Sequence, residues 1–495
     1  MCRHNGRQVE RQQDAFTAHT VVRTIVLNYG RLPKVVEEGY FDTMSSILVS
    51  DRRRVCYFYD DEVATFYYGA KHPMKPRRIG MTHDLVMNYG LYRDIAVYRP
   101  RRATLEEMAR FHAKDYLESM KTLCPIPEDM LSEKATRYNL HGDCPIFAGM
   151  NTFSSISAGG TLGCAYMLNT KQADIAINWA GGLHHAKKAE ASGFCYINDV
   201  VLGILELLKY HERVLYVDID CHHGDGVEEA FYATDRVLTH IGVGEGTLFA
   251  VNVPFRSGIN DDAYVGVFEP VITHVVRRFQ PDVVVLQCGA DSLAGDRLGG
   301  LNLTLKGHGQ CVEFIRKLNI PLLMLGGGGY TVRNVARCWA NETAIAVGKQ
   351  LPNHLPPGLY YEHYAPNYQL QISPLDIRNN NTDEYLNDVT ARVLENIESI
   401  EIAPSVPIHA VEEDLFLAFN DTDACDLEMA TADQRLPVHE TDRMVEHPAE
   451  FYNDIGDNGG QYMPYMPVFE VPDSSPGHVS PVTKRFKNAE EDEDH

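Results

Sequence analysis

Short apolar runs alternate with stretches of helical period along the middle of the chain. The runs are ADIAINWA (173–180), RVLYVDID (213–220), PDVVVLQCG (281–289) and IPLLMLGGGG (320–329). Amphipathic segments lie at 261–280 and 304–319, and a last one covers 381–400. Strands that are apolar on both sides are typical of parallel sheets covered by helices on both faces. The pattern therefore predicts an α/β fold with a central parallel β-sheet.

A helix start is predicted at residue 104. Thr104 and Glu107 have the spacing of a capping box, in which each side chain accepts a hydrogen bond from the backbone N–H of the other residue. The positions that follow predict a helix that continues to about Leu123.

The chain divides into three parts by period and composition. Residues 1–53 show no clear period, and we expect an extension of uncertain order there. Residues 54–402 carry the alternating pattern and are predicted to form the folded domain. Residues 403–495 are rich in proline and acidic side chains, and we expect them to be disordered because they cannot bury enough apolar area to offset the entropy of ordering.

Charge and cysteine use exclude several classes of protein. The net charge is −23, and residues 401–495 hold 22 Asp/Glu against 5 Lys/Arg, so about −17 lies there and about −6 elsewhere. We therefore expect no DNA-wrapping surface and no sequence-specific binding of nucleic acid. The eleven cysteines form no CxxC pair, which is typical of a reducing compartment. We expect no membrane span, since no apolar run approaches ~20 residues, and no signal peptide.

One apolar run ends in the polar sequence DIDCHHGDG. Asp218, Asp220 and His222 are spaced by two, so an extended backbone would point all three side chains the same way. Gly224 and Gly226 would let the backbone turn sharply and approach a bound group. Buried carboxylates are costly unless they are paired or bind a metal. We therefore favour a functional cluster over solvated loop acids.

Three more runs end in reactive side chains. These side chains are His184, His185, Asp291 and Tyr330. A histidine pair by itself is more often structural than catalytic. However, ligands of parallel sheets bind beyond the carboxyl ends of the strands, and four such ends together predict a hydrolytic metal site.

The residue types at these ends suit metal-assisted amide hydrolysis. A zinc site with three protein ligands and an open position suits Asp220, His222 and Asp291. One of the two histidines can move a proton, and the tyrosine can stabilise an oxyanion. Asp218 and Asp225 are then placed to orient the imidazoles.

Five blocks carry a resemblance to a known family. They are HPMKPRRIGMTH (72–83), NWAGGLHHAKKAEASGFCYINDVVLGILELLKYH (178–211), VDIDCHHGDGVEEAFYATDRV (217–237), VVLQCGADSLAGDRLG (284–299) and LGGGGYTVRNVARCW (325–339). Over residues 54–402 the chain resembles class I, RPD3-type zinc-dependent histone deacetylases, most closely the plant members. The resemblance implies the arginase/deacetylase fold, a central parallel sheet with helices on both faces, and makes residues 54–402 the catalytic domain.

The resemblance implies a role for each strand-end group. Asp220, His222 and Asp291, named above, match the zinc ligands. His185 matches the general base and acid, with Asp225 behind it. His184 matches the neighbouring electrostatic histidine, with Asp218 behind it. Tyr330 matches the tyrosine that stabilises the oxyanion.

Further matches line the path of the substrate. Gly193 and Phe194 match residues that form the wall of the family's acetyl-lysine tunnel, and Leu298 matches the residue at its floor. Arg78 matches the arginine of the inner cavity through which acetate leaves. The basic groups that bind an inositol phosphate at the co-repressor contact match Lys75, Arg297 and Arg333.

The resemblance also bears on the number of metal ions. Gly224 and Leu293 stand where the related ureohydrolases have carboxylates for a second ion, so one zinc per chain is implied. A potassium site beside the zinc would take the Asp218 side chain. Its other ligands belong to a block with SFHK and FPGTG, which is absent where Thr239 runs into IGVGEG, so we expect that site to be incomplete. A second potassium site could use the carbonyls of Phe231, Thr234 and Val237.

Two departures from the family pattern, the absent block and Lys114, leave three hypotheses open. The first is an active deacetylase of acetylated histone tails that works in a co-repressor complex and represses transcription in the nucleus, with the cytoplasm as a second location. The second is a catalytically impaired co-repressor scaffold or a gene-model artefact, because the absent block would also supply one tunnel wall and because Lys114 replaces a rim carboxylate. The third is an amidohydrolase of small acetylpolyamines.

Overall fold

A central sheet of seven parallel strands organises the fold. The computed structural model describes residues 22–23, 53–125, 132–238 and 251–400. The strands are β1 (Val22–Arg23), β2 (Val55–Phe58), β3 (Ile95–Tyr98), β4 (Ile175–Asn178), β5 (Val214–Asp218), β6 (Val237–Leu238), β7 (Pro254–Phe255), β8 (Val283–Gln287) and β9 (Leu322–Leu325). Seven of them form one sheet in the order β3–β2–β4–β9–β8–β5–β6, and all neighbours are parallel. The predicted α/β fold with a central parallel sheet is confirmed.

The inner strands of the sheet are buried on both faces, which explains why they are apolar along most of their length. In β5, Leu215 and Val217 pack into one hydrophobic cluster, while Val214 and Tyr216 pack into another. The side chains of β8 and β9 alternate between the same two clusters. Successive side chains of a strand point to opposite faces, so a strand that is covered on both sides needs apolar residues at every position.

Helices fill much of the chain between the strands. They are α1 (Arg77–Asn88), α2 (Leu105–Met108), α3 (Lys114–Thr122), α4 (Glu133–Arg137), α5 (Met150–Asn169), α6 (Asp199–Leu207), α7 (Asp225–Ala230), α8 (Asp261–Phe279), α9 (Leu305–Lys317), α10 (Val332–Ala346) and α11 (Asp383–Glu398). The helices predicted at 261–280, 304–319 and 381–400 are confirmed as α8, α9 and α11. Side chains cap all three, since Asn260, Thr304 and Thr382 each accept a backbone N–H of the first turn.

The helix predicted from Thr104 to about Leu123 is wrong in length. The capping box of Thr104 and Glu107 forms as predicted, but α2 ends after about one turn and α3 begins only after an irregular stretch. Tertiary contacts hold that stretch. The buried ring of His112 accepts the backbone N–H of Asn198 at 3.0 Å. Local pattern could not reveal a partner so distant in sequence.

The outer parts of the chain lie largely outside the described residues. This applies to the tail at 403–495, to the junction after Thr239 and to most of the extension at 1–53. Of that extension, β1 pairs antiparallel with β7. None of the helices in the described stretches combines the length and the apolarity that crossing a membrane takes.

Candidate active site

Four neighbouring strands end in polar loops. β4, β9, β8 and β5 lie side by side in the sheet, and the loops after them carry the reactive side chains that the sequence singles out. Because the strands are parallel, these loops leave the same edge of the sheet. The predicted neighbourhood of four strand ends is therefore observed.

Asp220, His222 and Asp291 bring their ligand atoms together. These atoms and the Sγ of Cys221 lie within 4.8 Å of one another. The Nδ1 atom of His222 is 3.2 Å from Oδ1 of Asp220 and 2.9 Å from Oδ2 of Asp291. Both aspartates are buried, whereas the His222 side chain is partly exposed. The group is thus enclosed on the carboxylate side and accessible on the histidine side.

A turn, and not a continued strand, groups these side chains. β5 ends at Asp218, so the expectation that an extended backbone points Asp218, Asp220 and His222 the same way is wrong. The N–H of Asp220 donates to Oδ1 of Asp218 at 3.1 Å, and the N–H of His222 donates to Oδ1 of Asp220 at 2.9 Å. Bonds of this kind fold the chain locally. They leave Asp218 facing His184, while Asp220 and His222 face Asp291.

The glycines of the turn are needed for close approach. Gly224 has a φ of −73°, and Gly226 lies inside α7, so neither requires the left-handed region. A Cβ on Gly226 would lie 2.5 Å from the carbonyl oxygen of His184, and one on Gly224 would lie 2.6 Å from Oδ2 of Asp218. The close approach seen here is to other protein atoms and serves the packing of the histidine loop, whereas approach to a bound group stays a prediction.

The two buried carboxylates are stabilised in their charged form by positive charge beside them. Burial and the charge of Asp220 together raise the pKa of Asp291 to about 6, although His222 acts in the opposite direction. Burial also opposes ionisation of Asp220, but His184 and His222 hold its pKa well below the usual range. Burial opposes the charged form of His222 as well, yet Asp291 outweighs it and raises the pKa of that imidazole. Convergent oxygen and nitrogen donors with this charge fit Zn²⁺ with three protein ligands.

Each of the two adjacent histidines bonds to an aspartate. The Nδ1 atom of His184 is 2.8 Å from Oδ2 of Asp218. The Nδ1 atom of His185 is 2.7 Å from Oδ1 of Asp225. The two imidazole rings lie 4.1 Å apart, measured between their centroids. Each histidine thus contacts the aspartate that the sequence places behind it.

The pKa values of the two histidines are shifted in opposite directions. Burial and then the charge of His184 lower the pKa of His185, the bond to Asp225 offsets only part of this, and the net pKa is about 4. Burial also disfavours the charged form of His184, but Asp218 and Asp220 outweigh it and raise its pKa to about 9. Near neutral pH, His185 is therefore neutral and donates its Nδ1–H to Asp225, while His184 is protonated.

Two residues that the sequence did not single out hold the histidine loop. The carboxylate of Asp199 accepts the backbone N–H groups of Gly182 and Leu183 at 2.9 and 2.8 Å. The side-chain amide of Asn198 donates to the carbonyl of His184 at 3.2 Å. The available sequence signal was the start of a helix, since Asn198 also caps α6. Its link to the histidines needs the tertiary structure.

A glycine-rich turn and a buried arginine position Tyr330. The guanidinium of Arg78 donates to the carbonyls of Gly327 and Gly329, the latter at 2.6 Å. The backbone N–H of Tyr330 donates to Asp296 at 2.7 Å. Burial keeps the pKa of Tyr330 well above its usual value. The phenol therefore stays protonated and can donate a hydrogen bond.

Of the predicted tunnel residues, Phe194 lies beside Tyr330 and Gly193 lies beside His185. The ring centroids of Phe194 and Tyr330 are 5.6 Å apart. Gly193 and Phe194 have φ values of 50° and 66°, and a Cβ on Gly193 would lie 2.4 Å from the His185 ring. Glycine is therefore required at 193 by conformation and by proximity. Leu298 is partly buried and packs against the hydrophobic core.

Lys114, Asp115 and Asp143 are exposed charged residues. Lys114 is exposed and is the first residue of α3. Asp115 turns away from it to accept a tyrosine hydroxyl at 3.0 Å. Asp143 is exposed, and its carbonyl is 3.1 Å from Nε2 of His72, whose ring centroid lies 4.7 Å from that of Phe194. His72 thus links the backbone of Asp143 to the ring of Phe194.

The three predicted phosphate-binding groups lie on segments around two packed helices. Lys75 precedes α1, and Arg333 lies in the first turn of α10, which packs against α1. Lys75 is buried, with its Nζ 5.5 Å from the centroid of the Tyr67 ring. Arg297 is partly buried and follows Asp296, which holds the Tyr330 backbone. Binding of a phosphate at these groups stays a prediction.

A second group of ligand-type side chains lies beneath the site. His308, Cys338 and Glu342 are fully buried, with their ligand atoms within 4.8 Å of one another. Burial opposes the charge of His308, but Cys338 and Glu342 raise its pKa. The Nε2 of His308 is 3.0 Å from the carbonyl oxygen of Gly289. His308 and Glu342 form a buried ion pair. Through His308, this pair supports the loop that carries Asp291.

The fold and this site define a class of protein. Residues 72–346 match the family model described as the histone deacetylase domain. That match covers more than half of the chain, so the chain belongs to the histone deacetylase family and has its arginase/deacetylase fold. It is a class I histone deacetylase of the RPD3 type, as the relatives below show.

The chain is similar to curated members along most of its length. It is 50% identical over 425 residues to histone deacetylase HDAC1 of Drosophila melanogaster, which covers 82% of this chain and 81% of that protein. It is 53% identical over 380 residues to histone deacetylase 1 of Homo sapiens, covering 73% and 79%. It is 48% identical over 424 residues to type-1 histone deacetylase 1 of Dictyostelium discoideum, covering 82% and 85%. The closer likeness to plant members stays a prediction.

Proposed function

We propose that this protein hydrolyses the acetyl amide of N6-acetyl-lysine in histones, releasing acetate and a free lysine side chain, and thereby represses transcription in the nucleus. The observation that carries the proposal is the placement of His185, bonded to Asp225, beside a group of two carboxylates and an imidazole. The identity to proteins named histone deacetylases supports the substrate class. We assign catalysis to residues 54–402, flanked by the extension at 1–53 and the tail at 403–495.

Asp220, His222 and Asp291 would hold one zinc ion per chain. Zinc at such a site polarises a substrate carbonyl and lowers the pKa of a bound water. Their convergent donors and the demand for positive charge support this assignment. Gly224 and Leu293 offer no carboxylates for a second ion, which supports a single catalytic metal.

His185 would act as general base and then as general acid. Its Nδ1–H donates to Asp225, so Nε2 is left to accept a proton from the attacking water. The same atom returns that proton to the nitrogen of the leaving amine. His184, protonated and bonded to Asp218, would place a positive charge beside the developing negative charge.

Tyr330 would donate its phenolic O–H to the oxyanion. Its raised pKa and its anchored backbone support this role, since the donor stays protonated and fixed in place. Gly193, Phe194 and Leu298 would line the path of the acetyl-lysine side chain. Arg78 would lie at the inner cavity through which acetate leaves.

The partners would be acetylated histone tails and subunits of a co-repressor complex. An inositol phosphate would bind Lys75, Arg297 and Arg333 at the contact with that complex. Three basic groups around α1 and α10 support an anionic ligand. The cytoplasm would be a second location.

Potassium would bind apart from the zinc, at the carbonyls of Phe231, Thr234 and Val237. The site that would use Asp218 is proposed to be incomplete, because its other ligands belong to the absent block. The junction after Thr239, where that block would lie, is outside the described residues.

The proposed function is tested by acetate release from an acetyl-lysine peptide of histone sequence. The zinc-loaded full chain should turn over, and His185→Ala should lower kcat by about 10²–10⁴-fold because the proton acceptor is lost. His354→Ala, at an exposed histidine far along the chain, should retain activity. Bound zinc without turnover in the wild type would contradict the proposal.

Two outcomes would favour the other hypotheses. A zinc-loaded chain that binds co-repressor subunits but releases no acetate would be a scaffold. Resequencing the transcript across Thr239–Gly246 would then identify a gene-model artefact if the absent block is recovered. Faster turnover of acetylspermidine than of the peptide would indicate a polyamine amidohydrolase.

A further inference from the structure

Lys187 contacts the carboxylate behind His185. Its Nζ atom is 2.6 Å from Oδ2 of Asp225 and 3.3 Å from Oε2 of Glu229. Asp225 therefore places one oxygen on the His185 ring and the other on an ammonium group. None of the roles proposed above uses Lys187.

The lysine is held by its surroundings. Its side chain is 17% exposed, compared with 40% for Asp225 and 64% for Glu229. The backbone N–H of Lys187 donates to the carbonyl of Glu190 at 3.0 Å, which closes a tight turn just after the histidines. Ion pairs between fully exposed groups contribute little, but this ammonium is shielded enough from water to interact more strongly with Asp225.

The neighbouring histidine has a different arrangement behind it. Oδ2 of Asp218 accepts the hydroxyl of Tyr216 at 2.6 Å and lies 2.8 Å from Nδ1 of His184. A neutral donor therefore stands behind the inner histidine–aspartate pair, and a cation stands behind the outer one. Asp225 is also the more exposed of the two aspartates, since Asp218 is 8% exposed. Water therefore competes more strongly for the carboxylate of Asp225, and a second partner is needed to fix its orientation.

We propose that Lys187 is a positioning residue for the deacetylation reaction. Its ammonium fixes the rotation of the Asp225 carboxylate, which in turn holds the His185 ring with Nε2 toward the substrate. The inference rests on the proposed role of His185 and extends it by one residue. A carboxylate held at both oxygens keeps a narrower range of geometries than one held at a single oxygen.

Lys187→Met tests this role, because it removes the ammonium and keeps most of the side-chain length. We expect kcat to fall about 5–20-fold with KM changed less than about twofold, since the loss concerns the reacting geometry and not the binding of the peptide. Lys187→Arg should restore kcat to within about threefold of the wild type. The matched control is Lys188→Met, at the next residue, which is exposed and should leave kcat unchanged.

A double-mutant cycle separates this role from a general effect of charge. In the Asp225→Asn background, Lys187→Met should lower kcat by less than about twofold, because the carboxylate that Lys187 positions is already gone. A full-sized fall in that background would overturn the inference. So would equal kcat values for Lys187→Met and the wild type.

A proton NMR signal tests the contact without relying on turnover. The Nδ1–H of His185, bonded to Asp225, should give a downfield resonance that disappears in His185→Ala. That resonance should move or broaden in Lys187→Met and stay unchanged in Lys188→Met. An unchanged resonance in Lys187→Met would overturn the inference, whereas absent turnover in the wild type would contradict the proposed function alone.

Discussion

At the scale of single residues, two adjacent histidines acquire different states from their neighbours. His185 and His184 both face an aspartate, yet the pKa of the first is lowered to about 4 and that of the second is raised to about 9. Burial dominates for His185, whereas two carboxylates dominate for His184. One histidine is thereby available as a base while the other carries a charge.

The raised pKa of His184 predicts a loss of stability at high pH. An unfolded histidine has a pKa of about 6.5, so the contribution of His184 is fully present below that pH and is lost as the pH rises through about 9. In metal-stripped protein, the free energy of unfolding should fall between these values by up to about 3 kcal/mol more in the wild type than in His184→Gln. Urea unfolding at the two pH values measures this. Equal falls in both proteins would contradict the assignment.

At the scale of elements, a helix start and a loop act as one unit. The first residues of α6 bind the backbone of the loop after β4, through Asp199 and Asn198. Asp199 also accepts the hydroxyl of Thr161 on α5 at 2.6 Å. The histidine pair is therefore placed by a loop that is fixed from two helices.

Asp199→Asn is predicted to loosen this unit. The new NH₂ group would face backbone N–H donors and leave at least one of them unpaired, so the free energy of unfolding should fall by about 2–4 kcal/mol. Acetate release should fall as well, because the loop carries both histidines. Asp262→Asn is the matched control in the first turn of α8. Its side chain is exposed, and its effect should stay within about 0.5 kcal/mol.

Equal denaturation midpoints for Asp199→Asn and Asp262→Asn would contradict a holding role of Asp199. A loss of stability without any loss of acetate release would show that the loop is held but that the histidines are placed by other contacts.

At the scale of the whole molecule, the proposed metal site joins two segments that are distant in sequence but follow neighbouring strands. Asp220 and His222 follow β5, whereas Asp291 follows β8, in a loop whose Gly289 carbonyl contacts the buried His308. A ligand that binds only the folded state stabilises all of it. Removing the metal should therefore lower the free energy of unfolding of the complete domain and not only that of the loops.

Metal removal is predicted to destabilise the protein. With free zinc at about 100–1,000 times its Kd, the metal should add about 3–4 kcal/mol to the free energy of unfolding. A chelator should remove this increment, and added zinc should restore it. Asp291→Ala should abolish the response, while Asp262→Asn should keep it. A thermal midpoint that ignores the chelator would contradict the assigned ligands.

Much of the fold was predictable because its signals are local. A strand buried on both faces is apolar at nearly every position, and β4, β5, β8 and β9 are recognisable for that reason. The helix predicted to run to Leu123 failed because the buried His112, a long-range partner of Asn198, interrupts it. Periodicity carries no information about such partners.

The sequence by itself determined which residue types follow which strands, and thus the chemistry available at the edge of the sheet. Only the tertiary structure decided how that chemistry is divided. It turns Asp218 toward His184 and Asp220 toward His222, sets the two histidine pKa values apart, and brings Lys187 to Asp225. The reason is physical: residue identity sets what a group can donate, accept or ionise, whereas burial and distance set which of these it does.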